Sequence, residues 1–148
     1  MAMLTKGTWV VVADSERAMI LENVGHARTP LLRQIDRFES TEVAKAGARS
    51  GKAFDQGKDQ RTAVEPPDHL RLGAEALAAV LVAHLLKKLA KGAFDALVIA
   101  APPQVLGAIR DQMDETLRAH VVAEMHKTLT KHPMHKIAEL VSEELGKG

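Results

Sequence analysis

Two apolar runs constrain the fold of this chain more than any other feature. The first, Trp9 to Ala13, is rich in valine and stops at Asp14-Ser15, and the second lies between Phe94 and Ala101. Short apolar runs without polar alternation are typical of central strands that are buried on both faces. We therefore expect a sheet that is covered by helices on both sides.

The remaining periodicity predicts the other elements. Alternating residues after Arg17 continue the first strand as an antiparallel meander, with Leu31, Ile35 and Phe38 facing inward in its third strand. Apolar residues at spacings of three or four define the helices, and Asp68 is the expected N-cap of the longest one. The sequence thus predicts strands at 8–14, 17–24, 31–38, 94–101 and 119–126, and helices at 69–91, 103–117 and 133–146.

This order, βββαβαβα, belongs to the α/β class. Right-handed helical crossovers make the later strands parallel, so one mixed sheet is expected within a single domain, residues 1–148. Ribonuclease-H-like folds and the middle domain of archaeal and eukaryotic release factors share this order. Topology alone does not choose between them.

Composition excludes several classes of protein. The chain has no cysteine, so it has no disulfide framework and no thiolate metal site, as is common in a reducing compartment. Its formal net charge of +1 gives no global field for nucleic acid or membrane. Its apolar runs are too short for a bilayer span or a signal peptide. We expect a cytoplasmic protein without a membrane partner, a metal or a cofactor.

A long segment, residues 40–67, interrupts the hydrophobic pattern, and we expect it to be a flexible loop. Connections of this length are uncommon in compact domains and are usually functional or disordered. Between Lys45 and Arg61 the segment has five Lys or Arg residues against two Asp residues. Such a local excess favours contact with RNA phosphates. The predicted RNA-binding residues are Lys45, Arg49, Lys52, Phe54, Lys58 and Arg61.

Three stretches carry a family resemblance. They are Trp9–Asp14 with Arg17-Ala18, Phe94–Pro103 with Leu106-Gly107, and Val121–Glu124 through Lys127–Thr130. In these stretches the chain resembles the bacterial host-attachment protein family, which is related to the middle domain of archaeal and eukaryotic release factors and to Pelota. The family name implies attachment to host cells. The relation to release factors and Pelota implies entry into the ribosomal A site.

In the related release-factor domain, a Gly-Gly-Gln tripeptide lies in the loop before the long helix. The corresponding segment here, 40–67, contains no Gly-Gly-Gln. We therefore expect a non-catalytic, release-factor-like protein whose partner is the ribosome or RNA. Two alternatives stay open: a ribonuclease-H-like, metal-dependent hydrolase and a protein-interaction module for attachment to host cells.

The hydrolase alternative needs converging carboxylates. Asp14 ends one predicted strand and Glu124 lies on another, so the two could meet at a sheet edge as catalytic candidates. Against this, Asp14-Ser15 is also ordinary turn chemistry, Glu124 has Lys127 or Arg17 as alternative partners, and no third ligand is evident.

Several histidines lie in the C-terminal third, namely His120, His126, His132 and His135. Pro133 disfavours helix at His132, so a solvated cluster is expected there rather than a zinc site. His84, on the apolar face of the long helix, is expected to be a hydrogen-bonded core histidine.

Overall fold

The computed structural model describes residues 3–40 and 66–147. The five strands are β1 (Trp9–Ala13), β2 (Arg17–Asn23), β3 (Leu32–Glu39), β4 (Leu97–Ala100) and β5 (Val121–Met125). The four helices within these ranges are α1 (Pro66–Ala90), α2 (Pro103–Gln112), α3 (Glu115–Arg118) and α4 (Met134–Lys147). None of the helices in the described ranges is long and apolar enough to cross a membrane.

The strands form one mixed sheet in the order β3-β2-β1-β4-β5. The first three strands are an antiparallel meander, whereas β4 pairs in parallel with β1 and β5 in parallel with β4. The predicted α/β class, the single mixed sheet and the parallel later strands are therefore confirmed.

The two apolar runs form the centre of the sheet, as predicted. Val10 and Val12 face one side of β1, whereas Val11 faces the other, and all three are fully buried. One face packs against α1, α2 and α3 through residues such as Leu81. The other face packs against α4 through residues such as Val141. Burial on both faces explains why β1 shows no polar alternation.

The predicted helix 103–117 is two helices. Met113 has an extended backbone, and the Asp114 side chain accepts a hydrogen bond from the Leu117 N–H at 2.9 Å, which caps α3. Ile109, Met113 and Leu117 all remain buried. The apolar stripe therefore continues across the break, and this continuity explains why the sequence pattern predicted one helix.

The inward face of β3 also differs from the prediction. Leu31 lies outside the strand and is 63% exposed, while Leu32 is buried. Ile35 and Phe38 do pack against the core, as expected. The pairing of β2 with β3 shifts register beside Ile20, so Leu32 and Phe38 pack in different cores although they are an even number of residues apart.

Two predicted element ends are displaced. Helix α1 begins at Pro66, so Asp68 lies within its first turn and is not its N-cap. Proline suits this position because the first helical N–H groups need no intrahelical partner. Phe94 precedes β4 and stacks on Trp9, with their ring centroids 4.7 Å apart.

Asn23, the last residue of β2, is a buried polar residue that holds this end of the strand in place. The sequence pattern did not identify it. Its buried amide donates to the carbonyls of Leu4 and Thr5 at 2.9 and 3.2 Å. Its side-chain oxygen accepts from the N–H groups of Gly25 and Leu31 at 3.0 and 2.8 Å. One side chain thus joins the segment before β1 to the β2–β3 turn.

Candidate functional site

Four strands end at the same side of the sheet. Because β1, β3, β4 and β5 run in the same direction, Ala13, Glu39, Ala100 and Met125 mark one boundary, which we name the carboxyl edge. Ser40 lies there as well, because its N–H donates to the carbonyl of Glu16 in the β1–β2 turn at 2.8 Å. In α/β sheets this edge is the common place for ligands.

The 40–67 segment is attached at this edge. It leaves β3 at Ser40, and α1 then returns to the opposite, amino edge, where its C-terminal residues lead through Phe94 into β4. The 25 residues of α1 span about 37 Å. Since β1, with 5 residues, spans only about 17 Å, the first residues of α1 extend to the carboxyl edge or beyond.

The predicted RNA-binding residues lie outside the described ranges. They are Lys45, Arg49, Lys52, Phe54, Lys58 and Arg61, all within residues 41–65. Their assignment and the flexibility of this segment stay predictions.

Asp14 is held in place at the carboxyl edge. Its Oδ1 accepts from the N–H groups of Glu16 and Arg17 at 2.7 and 2.9 Å, and its Oδ2 accepts from the Thr130 hydroxyl at 2.6 Å. Partial burial raises the pKa of Asp14, but these hydrogen bonds and the Arg17 charge outweigh it and hold the pKa below its ordinary value. Both carboxylate oxygens are therefore engaged by protein donors.

The Asp14–Thr130 hydrogen bond determines the path of the loop between β5 and α4, residues 126–133, which we name the β5–α4 loop. Because β4 lies between β1 and β5, a loop that leaves β5 and reaches Asp14 crosses the end of β4. Leu129 and Thr130 are buried at the middle of the loop. In the sequence, Thr130 is evident only as the last residue of the third stretch that carries the family resemblance, so its role in holding the loop was missed.

The exposed side chains of the β5–α4 loop are basic or neutral. Lys127 and Lys131 flank the buried pair, and His126 and His132 are exposed beside them. No Asp or Glu occurs anywhere from His126 to Lys136. The β5–α4 loop is thus a basic surface at the carboxyl edge, in addition to the basic residues 45–61 that the sequence pattern identified.

The structure does not bring Asp14 and Glu124 together. Arg110 of α2 binds Glu124, with its Nε 2.6 Å from Oε1. The strands of the two acids are separated by β4, which places their backbones about 10 Å apart. Within the described ranges, no three His, Asp or Glu side chains are grouped so that they could hold a metal ion.

The histidines of the C-terminal third do not form one cluster. His120 precedes β5 and its Nδ1 lies 2.6 Å from the Asp95 carbonyl, whereas His126 follows the same strand at the other end. His84 is partly buried, and its Nε2 lies 3.0 Å from Oδ2 of Asp36. The His84 and Phe38 rings also pack in a T-shaped arrangement, with their centroids 5.1 Å apart. These contacts join α1 to β3, which is a structural role.

An open cleft of about 480 Å³ lies between the β2–β3 turn and α4. Arg28 and His135 line it together with Glu139 and Glu143. Because side chains of both signs face this space, it has no evident preference for an anion or a cation.

Comparison with known proteins identifies the family. Residues 7–141, which make up most of the chain, match bacterial archaeo-eukaryotic release factor family 12. The chain belongs to this family. The relation to release factors that the sequence resemblance implied is thereby confirmed. Attachment to host cells, which the resemblance also implied, is not tested by the match and stays a prediction.

Among solved structures, Dom34 of Saccharomyces cerevisiae aligns with this family member. It is described as a translation termination-like factor involved in RNA quality control pathways and interacting with Hbs1. The alignment has a TM-score of 0.39 and 11% identity, and it covers 95% of this chain but 37% of Dom34. No curated protein sequence matches the chain.

Proposed function

We propose that this family member is a non-catalytic, release-factor-like protein that binds ribosomal or transfer RNA on the ribosome through its carboxyl edge. The observation that carries the proposal is the family match over residues 7–141, together with the excess of Lys and Arg in residues 45–61, within the segment that begins at that edge. We further propose that the chain acts as a single cytoplasmic domain. The hydrolase alternative is not proposed, because Asp14 and Glu124 each have other partners.

The charge of residues 45–61 suits a polyanionic partner. Most of the chain is balanced in charge, so the excess of Lys and Arg in residues 45–61 is local. Basic side chains that neutralise phosphates release counterions from RNA, and this release gives affinity without requiring a specific base sequence. The glycines in the segment allow close approach of its backbone to a nucleic-acid backbone.

The proposed lack of catalysis rests on the same segment. The related release-factor domain has a Gly-Gly-Gln tripeptide, as the resemblance implies. This tripeptide occurs nowhere in the present sequence. The proposal is therefore occupancy of a ribosomal site without hydrolysis of peptidyl-tRNA.

Sedimentation of the full chain with purified ribosomes over a potassium chloride series tests the proposal. In the test variant, alanine replaces Arg49, Lys52, Lys58 and Arg61. The logarithm of the binding constant falls linearly with the logarithm of the salt concentration, and we name the gradient of this line the salt slope. Each cation that no longer neutralises a phosphate should reduce the magnitude of the salt slope by about 0.7 to 0.9. The quadruple variant should therefore bind more weakly and with a much flatter salt dependence.

A matched control removes four exposed cations near the amino edge. Lys6 precedes β1, Arg28 lies in the β2–β3 turn, and Lys87 and Lys91 lie at the end of α1. Replacing these four by alanine changes the net charge equally and should leave the salt slope unchanged. If both quadruple variants bind like the parent, or lose binding equally, the proposed role of the 40–67 segment is wrong.

A further inference from the structure

We propose that the β5–α4 loop is a second RNA-phosphate contact, which binds the same RNA as the 40–67 segment. This inference rests on the proposed function, because it adds a surface for the same partner. It concerns different residues, Lys127 and Lys131, so the two can be tested separately.

The backbone of the β5–α4 loop is already held in place, so the loop does not need to become ordered when it binds RNA. Leu129 is buried in the core beneath the sheet, and the Thr130 hydroxyl donates to Asp14 at 2.6 Å. Lys127 and Lys131 lie on either side of this anchored pair and are exposed. A backbone fixed at its middle presents both ammonium groups at a lower entropic cost than a free loop would.

The surroundings favour an anion. Helix α4 begins directly after the loop and has no acidic residue in its first turn, so the positive end of its dipole adds to the two lysines. The nearby acids Asp14 and Glu124 are engaged by protein donors. Glu39 pairs with Arg37, and Glu16 is exposed in the β1–β2 turn. Glu39 lies on β3, away from β5, and the exposed Glu16 of the turn that Thr130 contacts is outnumbered by Lys127 and Lys131.

The position of the loop also links it to the 40–67 segment. Thr130 contacts Asp14 at the start of the β1–β2 turn, and Ser40 contacts Glu16 within the same turn. The β5–α4 loop and the first residue of the segment thus flank one turn. A single RNA strand that follows the carboxyl edge can meet both.

The test measures binding of a short structureless RNA oligonucleotide by fluorescence anisotropy over a potassium chloride series. The test variant is Lys127→Ala with Lys131→Ala. Because this variant lacks two phosphate-binding cations, the slope should fall by about 1.5 and the affinity by about tenfold at physiological salt. Arginine at both positions should restore slope and affinity, because the charge is kept. A control with alanine at Lys6 and Lys91 should bind like the parent.

The outcomes separate this inference from the proposed function. Unchanged RNA binding by the Lys127→Ala, Lys131→Ala variant overturns the inference, whatever the ribosome result. Loss of ribosome binding with unchanged RNA binding also overturns it, because the loop would then contact a ribosomal protein. If the parent binds RNA through these lysines but does not sediment with ribosomes, the inference stands and the proposed function falls.

Discussion

Replacing Thr130 by valine should destabilise the protein because it removes the donor to Asp14 while keeping the side-chain volume. Thr130 is buried, and its hydroxyl lies 2.6 Å from a carboxylate oxygen. Hydrogen bonds to charged groups contribute about 1.5 to 3 kcal/mol to stability. Asp14 is partly exposed and keeps two backbone donors, so we expect a cost of about 1 to 2 kcal/mol.

The cost should depend on pH. The pKa of Asp14 is lower in the folded than in the unfolded protein, so its carboxylate stabilises the fold fully above its ordinary pKa of 3.8. This stabilisation is lost as the pH falls through the lower, folded pKa. Urea unfolding at pH 7 should therefore show the full cost of Thr130→Val, and unfolding in strong acid should show a smaller one.

A double-mutant cycle with Asp14→Asn isolates the pair. Thr130→Ser keeps the hydroxyl and serves as the control, with a much smaller loss. A cost of Thr130→Val below about 0.5 kcal/mol at pH 7, or a cost that is the same at every pH, would refute the assignment of Thr130 as a stabilising donor to the Asp14 carboxylate.

Two further predictions concern other contacts. Burial lowers the pKa of His84 below its ordinary value of 6.5, with Asp36 opposing and Lys87 and Lys88 adding to the shift. The unfolded chain thus binds the proton more readily, so stability should fall as the pH drops through 6.5, and His84→Gln should flatten this dependence in urea unfolding. Asn23→Ala leaves buried partners of a four-bond network unsatisfied and should cost about 3 kcal/mol, seen as a lower Tm. Unchanged unfolding of either variant would contradict the corresponding prediction.

The sequence predicted those elements whose burial shows in local pattern. Trp9–Ala13 lies at the centre of the sheet, so every position is apolar and the strand is evident. The break at Met113 was missed because the apolar side chains of α2 and α3 share one core face. Leu31 was misplaced because β3 begins at Leu32, opposite Asn23, and the pairing that sets this start belongs to two strands and is not visible in either sequence alone.

The candidate site was predictable only in part, for a similar reason. The excess of positive charge in residues 45–61 is local and can be counted. The Asp14–Thr130 contact joins residues 116 positions apart, and it depends on β1 and β5 flanking β4. The order of strands alone does not specify which loop crosses the end of β4. The basic character of the β5–α4 loop could have been predicted locally, because the stretch His126–Lys136 has no acidic residue.

The topology separates the residues that maintain the fold from those proposed to bind RNA. The two cores of the described residues lie on the faces of the sheet, whereas the connection from β3 to α1 begins at the carboxyl edge, at Ser40. Lengthening such a connection is inexpensive, since each doubling of loop length costs only about 0.6 kcal/mol. A long basic segment is therefore compatible with a stable domain. It follows that charge changes in residues 45–61 should alter binding alone, whereas Thr130 supports both the fold and the position of the β5–α4 loop.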